Sequence, residues 1–404
     1  MPYPYLPENF REAYSSVWVE IPPELFDAQR ATAMYNDYID ELELAASSGF
    51  DGICVNEHHS NGYGLMPSPN LIATALSRAT QHTAVCVLGN SIALYNPPTR
   101  VAEELAMIDC ISGGRLIAGF PVGTPMDACF AYGQNPSTLR ERYAEAHDLI
   151  KRAWQEPKPF SFDGRFTQQR YVNTWPRPVQ KPHPPIWIPG GGTVDTWHFC
   201  AENDYVYCYL SYYGYQSAKQ AMRGYWDAVA AAGKAANPYR AGFLQFVGVA
   251  ETREQAMELY REPAEYFYGR CLHVDPRFGP PAGYTTEETV RAGLKSQVGS
   301  VTGQSRSLMP TDKSGREMPA IVENGYVIIG SPEEVAERLA AIATELNVGH
   351  LLLLLQFGNM SKELNAYNTK LFAERVLPKL QPLFAEWEDE WWPQRATSAP
   401  TAAP

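Results

Sequence analysis

Glu57, His58 and His59 stand together directly after a short apolar run, Ile53-Cys54-Val55, and before a loop at 60–69 that contains Gly62-Tyr63-Gly64. A carboxylate beside two imidazoles can do acid–base work, because an imidazole with a pKa near 6.5 gives or takes a proton at neutral pH. The same residue types can bind a metal. Ligands on a strand or helix are usually spaced roughly two or four residues apart, whereas adjacent residues on an extended chain face opposite ways. His58 and His59 are therefore expected to separate, one facing a site and the other hydrogen-bonded or packed outside it. The bland alternative, a histidine satisfied within the core, stays open for either.

Two further stretches could cradle a ligand. Gly190-Gly191-Gly192-Thr193 lies between an apolar run and a helical pattern. Small residues there let backbone N–H groups approach an anion at a helix N-terminus, with the Thr193 hydroxyl beside them. Read without that anion, it is a flexible turn. Leu88-Gly89-Asn90-Ser91 ends another apolar run. The glycine permits close approach of the backbone to a flat ligand, or simply a bend.

These stretches need elements to hold them. Apolar runs of strand character occur at 17–21, 53–55, 84–88, 116–120, 185–188, 205–210, 243–249 and 350–355, and most are followed by segments with helical spacing. Alternation of this kind implies parallel strands joined by right-handed crossovers. Eight units predict an α/β fold, a (β/α)8 TIM barrel, with Glu57, His58 and His59 at the carboxyl end of its second strand, where barrels place their chemistry. A doubly wound sheet would want a glycine-rich first turn, and that turn reads Ile21-Pro22-Pro23-Glu24. Residues 1–380 form one domain in this reading. Residues 270–328, rich in Gly, Pro, Ser and Thr, interrupt it between strands seven and eight, either as a lid or as a surface insertion. Residues 381–404 read as a C-terminal tail, partly disordered.

Composition narrows the partners. A net charge of −12 over 404 residues argues against a nucleic-acid surface. No apolar run approaches the roughly 18 residues that span a bilayer. The seven cysteines are scattered and none forms a C-x-x-C pair, which suits a reducing compartment. The start has neither a basic nor an apolar leader region, so a cytoplasmic protein is expected. Aromatic residues reach 12%, enough to line a site with flat surfaces.

Four stretches together carry a family likeness: Gly49-Phe50-Asp51-Gly52 with Glu57-His58-His59; residues 98–119, from Pro98-Thr99-Arg100 to Gly119; Pro182-His183-Pro184-Pro185-Ile186-Trp187-Ile188-Pro189-Gly190-Gly191; and Ile329-Gly330-Ser331-Pro332-Glu333-Glu334-Val335. The chain resembles the bacterial luciferase-like flavin-dependent monooxygenases over most of residues 15–375. The resemblance implies a (β/α)8 barrel binding reduced FMN at its carboxyl face. A separate NAD(P)H:flavin reductase would supply that flavin, and dioxygen would form a peroxyflavin that oxygenates a small organic substrate. It implies His58 as the catalytic base. Gly89, Asn90 and Ser91 match the segment against the isoalloxazine, often through a non-proline cis peptide, and Gly190, Gly191, Gly192 and Thr193 match the phosphate loop. A homodimer is implied by the same likeness.

One position departs from the pattern. Where the family often reads Gly-x-x-Arg-Gly after strand four, this chain reads Gly119-Phe120-Pro121-Val122-Gly123. Gly123 is kept as a cofactor-binding position, while Val122 replaces the arginine that meets the phosphate. Arg140 and Arg170 are the candidates to substitute for it. A deazaflavin-dependent dehydrogenase on the same barrel, a flavin-binding protein without turnover and a metal-dependent hydrolase are the alternative functions.

Overall fold

The computed structural model describes residues 6, 7, 9–62, 64–210, 212–295 and 314–394. Tyr63, residues 296–313 of the expected insertion and residues 395–404 of the expected tail lie outside the described residues.

Among the described residues ten strands are present: β1 (Gly52–Val55), β2 (Ala84–Val87), β3 (Leu116–Gly119), β4 (Phe160–Asp163), β5 (Gln168–Val172), β6 (Ile186–Gly190), β7 (Val206–Tyr209), β8 (Ala241–Val249), β9 (Val327–Gly330) and β10 (His350–Leu354). Eight belong to one parallel sheet in the order β1-β2-β3-β6-β7-β8-β10, with β9 pairing the upper half of β8. The remaining two, β4 and β5, form a small antiparallel hairpin. The principal strands are apolar on both faces, as parallel strands covered by helices must be. Val85, Val87, Leu116, Ala118, Ile186 and Ile188 pack outward against the helix layer. Cys86, Ile117, Trp187, Cys208 and Leu352 face inward.

The count of eight sheet strands agrees with expectation, but one member differs. Residues 17–21 are not in the sheet. Trp18 makes a single bridge to Asn61, and Val17 and Val19 donate to the carbonyls of His273 and Ser60. The eighth place is taken by β9, which lies at the end of the expected insertion. Among the described residues no ladder joins β10 to β1. Helices Ala28–Ser47 and Lys362–Arg375 pack across that seam, where Lys362 Nζ donates to Asp37 and Asp40 and Phe50 stacks on Phe372. Side chains therefore complete the barrel wall there.

The base is tied together by buried polar groups. Arg115, 5% exposed, donates to the carbonyls of Ser77, Thr80, Thr83 and Ser112, linking the ends of helices Pro69–Ala79 and Thr99–Ser112. Gly113, at φ +70°, ends the second of these helices in the left-handed turn that glycine adopts without steric cost. Helix Pro332–Leu346 opens with a capping box between Ser331 and Glu334. The segment expected as a tail from residue 381 packs against the barrel base as far as residue 393. Trp391 is 6% exposed, and the Trp187 indole N–H donates to its carbonyl. Among the described residues no helix is long and apolar enough to cross a membrane.

Candidate active site

β1 ends at Val55, so residues 56–59 leave the strand and follow the course of a loop over its carboxyl end. The two histidines do part company, though through loop geometry rather than strand alternation. The His58 main-chain N–H donates to the Met66 carbonyl, and its ring stands edge-on to Trp18, 4.8 Å between centroids. His58 Nδ1 lies 2.9 Å from Asp127 Oδ2. His59 turns the other way: its Nε2 lies 2.9 Å from Glu57 Oε1, its Nδ1 is 3.1 Å from the Tyr132 hydroxyl, and its main-chain N–H donates to Asp127 Oδ1.

Asp127 is the residue that sequence reasoning missed. It sits on a π-helical turn, Met126–Ala131, 69 positions from His58, and carries no motif. Such turns recur at functional sites because the extra residue re-aims a side chain. The Asp127 side chain is 2% exposed and also accepts from the Thr124 hydroxyl at 2.8 Å. A carboxylate so held accepts from the His58 Nδ1–H. That fixes the ring and leaves Nε2 as the basic nitrogen of the neutral tautomer.

Glu57 is a second hub, behind the first. Its buried carboxylate accepts from the Tyr95 hydroxyl at 2.7 Å and the Asn90 amide at 3.1 Å, besides facing His59. Burial, reinforced by Glu57, pushes the Tyr95 phenol up, so the hydroxyl remains a donor.

A cavity of about 1850 Å³ runs from this mouth into the barrel. His58, Gly89, Ser91, Gly123, Gly190, Gly191 and Thr193 all line it. The peptide Leu88-Gly89 is cis, and a Cβ on Gly89 would fall 2.1 Å from the Gly119 carbonyl oxygen, so only glycine fits. Gly123, at φ +101°, gives its carbonyl to the Tyr284 hydroxyl. Two of the expected binding residues stand back from the cavity wall. Asn90 is fully buried with its amide on Glu57 and Tyr95, and Gly192 shapes the turn at φ +98°.

The glycine turn leads into helix Val194–Asn203, with Thr193 at its N-cap. Arg140, from helix Leu139–Gln155, reaches this point: its Nη2 donates to Thr193 Oγ1 at 3.3 Å, and its Nε is buried with no partner. Arg170 lies on β5 in the hairpin, away from the cavity lining. Tyr284 and the Thr286 and Thr289 hydroxyls, within the expected insertion, close over the same end, the last two donating to Asp195. Among the described residues no group of three or more His, Cys, Asp and Glu side chains could hold a metal ion.

The chain is 30% identical over 167 residues to the oxygenase component of the flavin-dependent trigonelline monooxygenase of Acinetobacter baylyi, covering 40% of this chain and 45% of that one. It thus spans less than half the length of several of the curated relatives it matches. With the FMNH2-dependent dimethylsulfone monooxygenase of Pseudomonas putida it shares 26% identity over 376 residues, 89% of this chain and 92% of the relative. The structure of the oxygenating constituent of 3,6-diketocamphane monooxygenase from Pseudomonas putida, in complex with FMN, superposes with a TM-score of 0.68 at 19% identity, over 88% of this chain and 94% of that one. An F420-dependent secondary alcohol dehydrogenase shares the fold at a TM-score of 0.60 and 18% identity, over 86% of this chain and 95% of that one. The family model for luciferase-like monooxygenases matches residues 18–348, which takes in the Trp18 that flanks His58, both carboxylate hubs and the glycine turn, and the chain belongs to that family.

Proposed function

We propose that this chain is the oxygenase component of a two-component monooxygenase, using reduced FMN from a separate reductase, together with dioxygen, to oxygenate a small, mostly apolar organic molecule. The observation that carries the reading is the buried, unpartnered Arg140 Nε beside Thr193 at the end of a cavity that has His58 at its mouth. A buried guanidinium nitrogen without an acceptor is costly, and a phosphate would satisfy it. Arg140 thus takes the part left open by Val122, with Gly190, Gly191 and Thr193 supplying small, approachable backbone and a hydroxyl. Gly89, Ser91 and Gly123 offer the flat contact for the ring system. Asn90 supports that segment from behind through Glu57, and Gly192 shapes the turn.

The bound reduced flavin would supply the two electrons that activate dioxygen. The protein's own part is to hold the substrate and manage a proton. Asp127 keeps the His58 ring in one orientation, with Nε2 as the atom that gives or takes the proton at the reacting group. Trp18, Tyr212, Phe246 and Phe267 line the mouth and exclude water from it. In the cell the protein works in the cytoplasm, as a homodimer.

Equilibrium titration with FMN and a deazaflavin, each in its oxidised and its reduced form, under anaerobic conditions tests the assignment, followed by admission of dioxygen. Preferential binding of reduced FMN, with product formed only after oxygen is added, is the expected result. Substrate conversion with the deazaflavin in the absence of oxygen would replace it with the dehydrogenase reading.

A further inference from the structure

Cys54 and Cys86 occupy neighbouring positions on β1 and β2 and are direct partners in the parallel register. Their flanking residues Ile53, Val55, Val85 and Val87 all pack into the helix layer, so both thiols point into the barrel. Both line the cavity that begins at His58 and Gly89. Cys54 is exposed to that space, whereas Cys86 is 2% exposed and in hydrogen-bonding contact with the Cys54 thiol. Adjacent strands lie about 4.8 Å apart, inside the roughly 4.4–6.8 Å of Cα separation that a disulfide spans. No disulfide joins any two of the seven cysteines.

We propose that Cys54 and Cys86 form a peroxide-oxidisable dithiol inside the barrel, with Cys54 as the sulfur that meets hydrogen peroxide and Cys86 as the one that resolves it. The Cys54 sulfur attacks a peroxide oxygen, the O–O bond breaks, and Cys54 becomes a sulfenic acid with release of one water. The Cys86 sulfur then attacks the Cys54 sulfur. The S–O bond breaks, and the departing hydroxide takes the Cys86 proton and leaves as a second water. Two thiols lose two electrons and one peroxide gains them. The assignment of roles follows access: the cavity delivers a small oxidant to Cys54, while burial pushes the Cys86 thiol up and keeps it protonated until a sulfenic acid stands beside it. The bond would lie on the cavity wall two residues before the Leu88-Gly89 peptide. On the function proposed above, reduced flavin and dioxygen would yield hydrogen peroxide whenever no substrate takes the oxygen, which would supply this oxidant to the cavity.

The test uses the full chain without cofactor and with added hydrogen peroxide, so its outcome does not depend on the function proposed above. After treatment, unfolding and alkylation, the number of alkylatable cysteines falls from seven to five, the intact mass drops by about 2 Da, peptide mapping finds a 54–86 crosslink, and dithiothreitol restores all of them. In the Cys86→Ser chain a sulfenic acid at Cys54 is trapped by dimedone and proceeds to the sulfinic acid, about 32 Da heavier. Circular dichroism confirms that this variant is folded, and the wild-type map decides the matter if it is not. A wild-type protein that keeps both thiols alkylatable after peroxide overturns the proposal. So does one that gives sulfinic acid at Cys54 with Cys86 intact, or one that crosslinks either sulfur to Cys208.

Discussion

The barrel holds two histidines that each face an aspartate, one at the mouth and one at the base. At the mouth, His58 Nδ1 is 2.9 Å from Asp127, whose carboxylate also accepts from Thr124 and from the His59 main chain. At the base, His350 Nε2 is 3.6 Å from Asp389 and donates instead to the Tyr239 carbonyl at 3.0 Å, between Trp187 and a stacked Trp392. Burial drives His350 down to about 3, which leaves it neutral near pH 7, and lifts Asp389 to about 7, where its carboxyl is only half ionised. Proximity of a histidine and an acid is therefore not what makes a working pair. What differs is the set of donors around the acid: the Asp127 carboxylate accepts from the Thr124 hydroxyl and orients an imidazole, whereas Asp389 accepts from the main-chain N–H groups of Trp391 and Trp392.

The comparison can be broken most sharply at His58. His58→Ala is expected to lower turnover by about 10²–10⁴ while flavin affinity, measured by titration, stays within a factor of about two. His350→Ala should leave turnover per folded molecule unchanged and lower the melting temperature. An equal loss of turnover in both variants would remove the distinction. Next in size, Asp127→Asn should cost about 10–100-fold in kcat and shift the acidic limb of the pH–rate profile, because the amide no longer fixes the tautomer. A variant with reduced kcat but an unmoved profile would make Asp127 merely structural. Arg140→Ala should weaken FMN binding by about ten- to a hundredfold, the equivalent of a charge-assisted hydrogen bond of roughly 1.5–3 kcal/mol, with kcat at saturating flavin little changed. Unaltered FMN affinity would return the phosphate site to another residue.

The smallest effect concerns the base alone. Asp389 has a folded pKa raised above its ordinary 3.8, and Glu41, half-buried at the seam, is raised from an ordinary 4.5 to about 7. Between those ordinary values and 7 the folded chain binds more protons than the unfolded one. Stability is then highest on the acid side of the window and declines as pH rises through about 7. Asp389→Asn should flatten this decline by on the order of 2 kcal/mol, read from chemical denaturation at about pH 5 and pH 8. A steeper decline would show that the carboxylate is stabilised, not strained, by its surroundings.

Local chemistry was the most legible part of the sequence. His58 and the glycine turn announce themselves because their neighbours in sequence are also their neighbours in space. Asp127 does not, since a π-helical turn leaves no periodic trace and its partner is 69 positions away. The alternation of strands and helices gave the barrel, but strand 17–21 and strand β9 exchanged places. Four residues, Val327-Ile328-Ile329-Gly330, are too few for a pattern beside a long irregular stretch, while 17–21 has strand-like composition but spends its hydrogen bonds on neighbouring loops. The packed end of the chain shows the same limit. Trp391 and Trp392 sit before a low-complexity run that drew the whole segment into the reading of a tail, although paired tryptophans seldom belong to a solvated chain.

The seam between β10 and β1 has a bearing on how such a protein can diversify. From β2 to β7, widening the interior means moving strands that are bonded to both neighbours. At the seam the cavity is bounded by Tyr38, Leu42 and Ala45 from one helix and Asn365 and Thr369 from the other. Exchanging Leu42 for Ala alters the shape of the chamber at a cost of a few kcal/mol at most, without rupturing any backbone ladder. A lineage could thus explore new substrate sizes one side chain at a time, leaving the histidine, the aspartate and the arginine where they are.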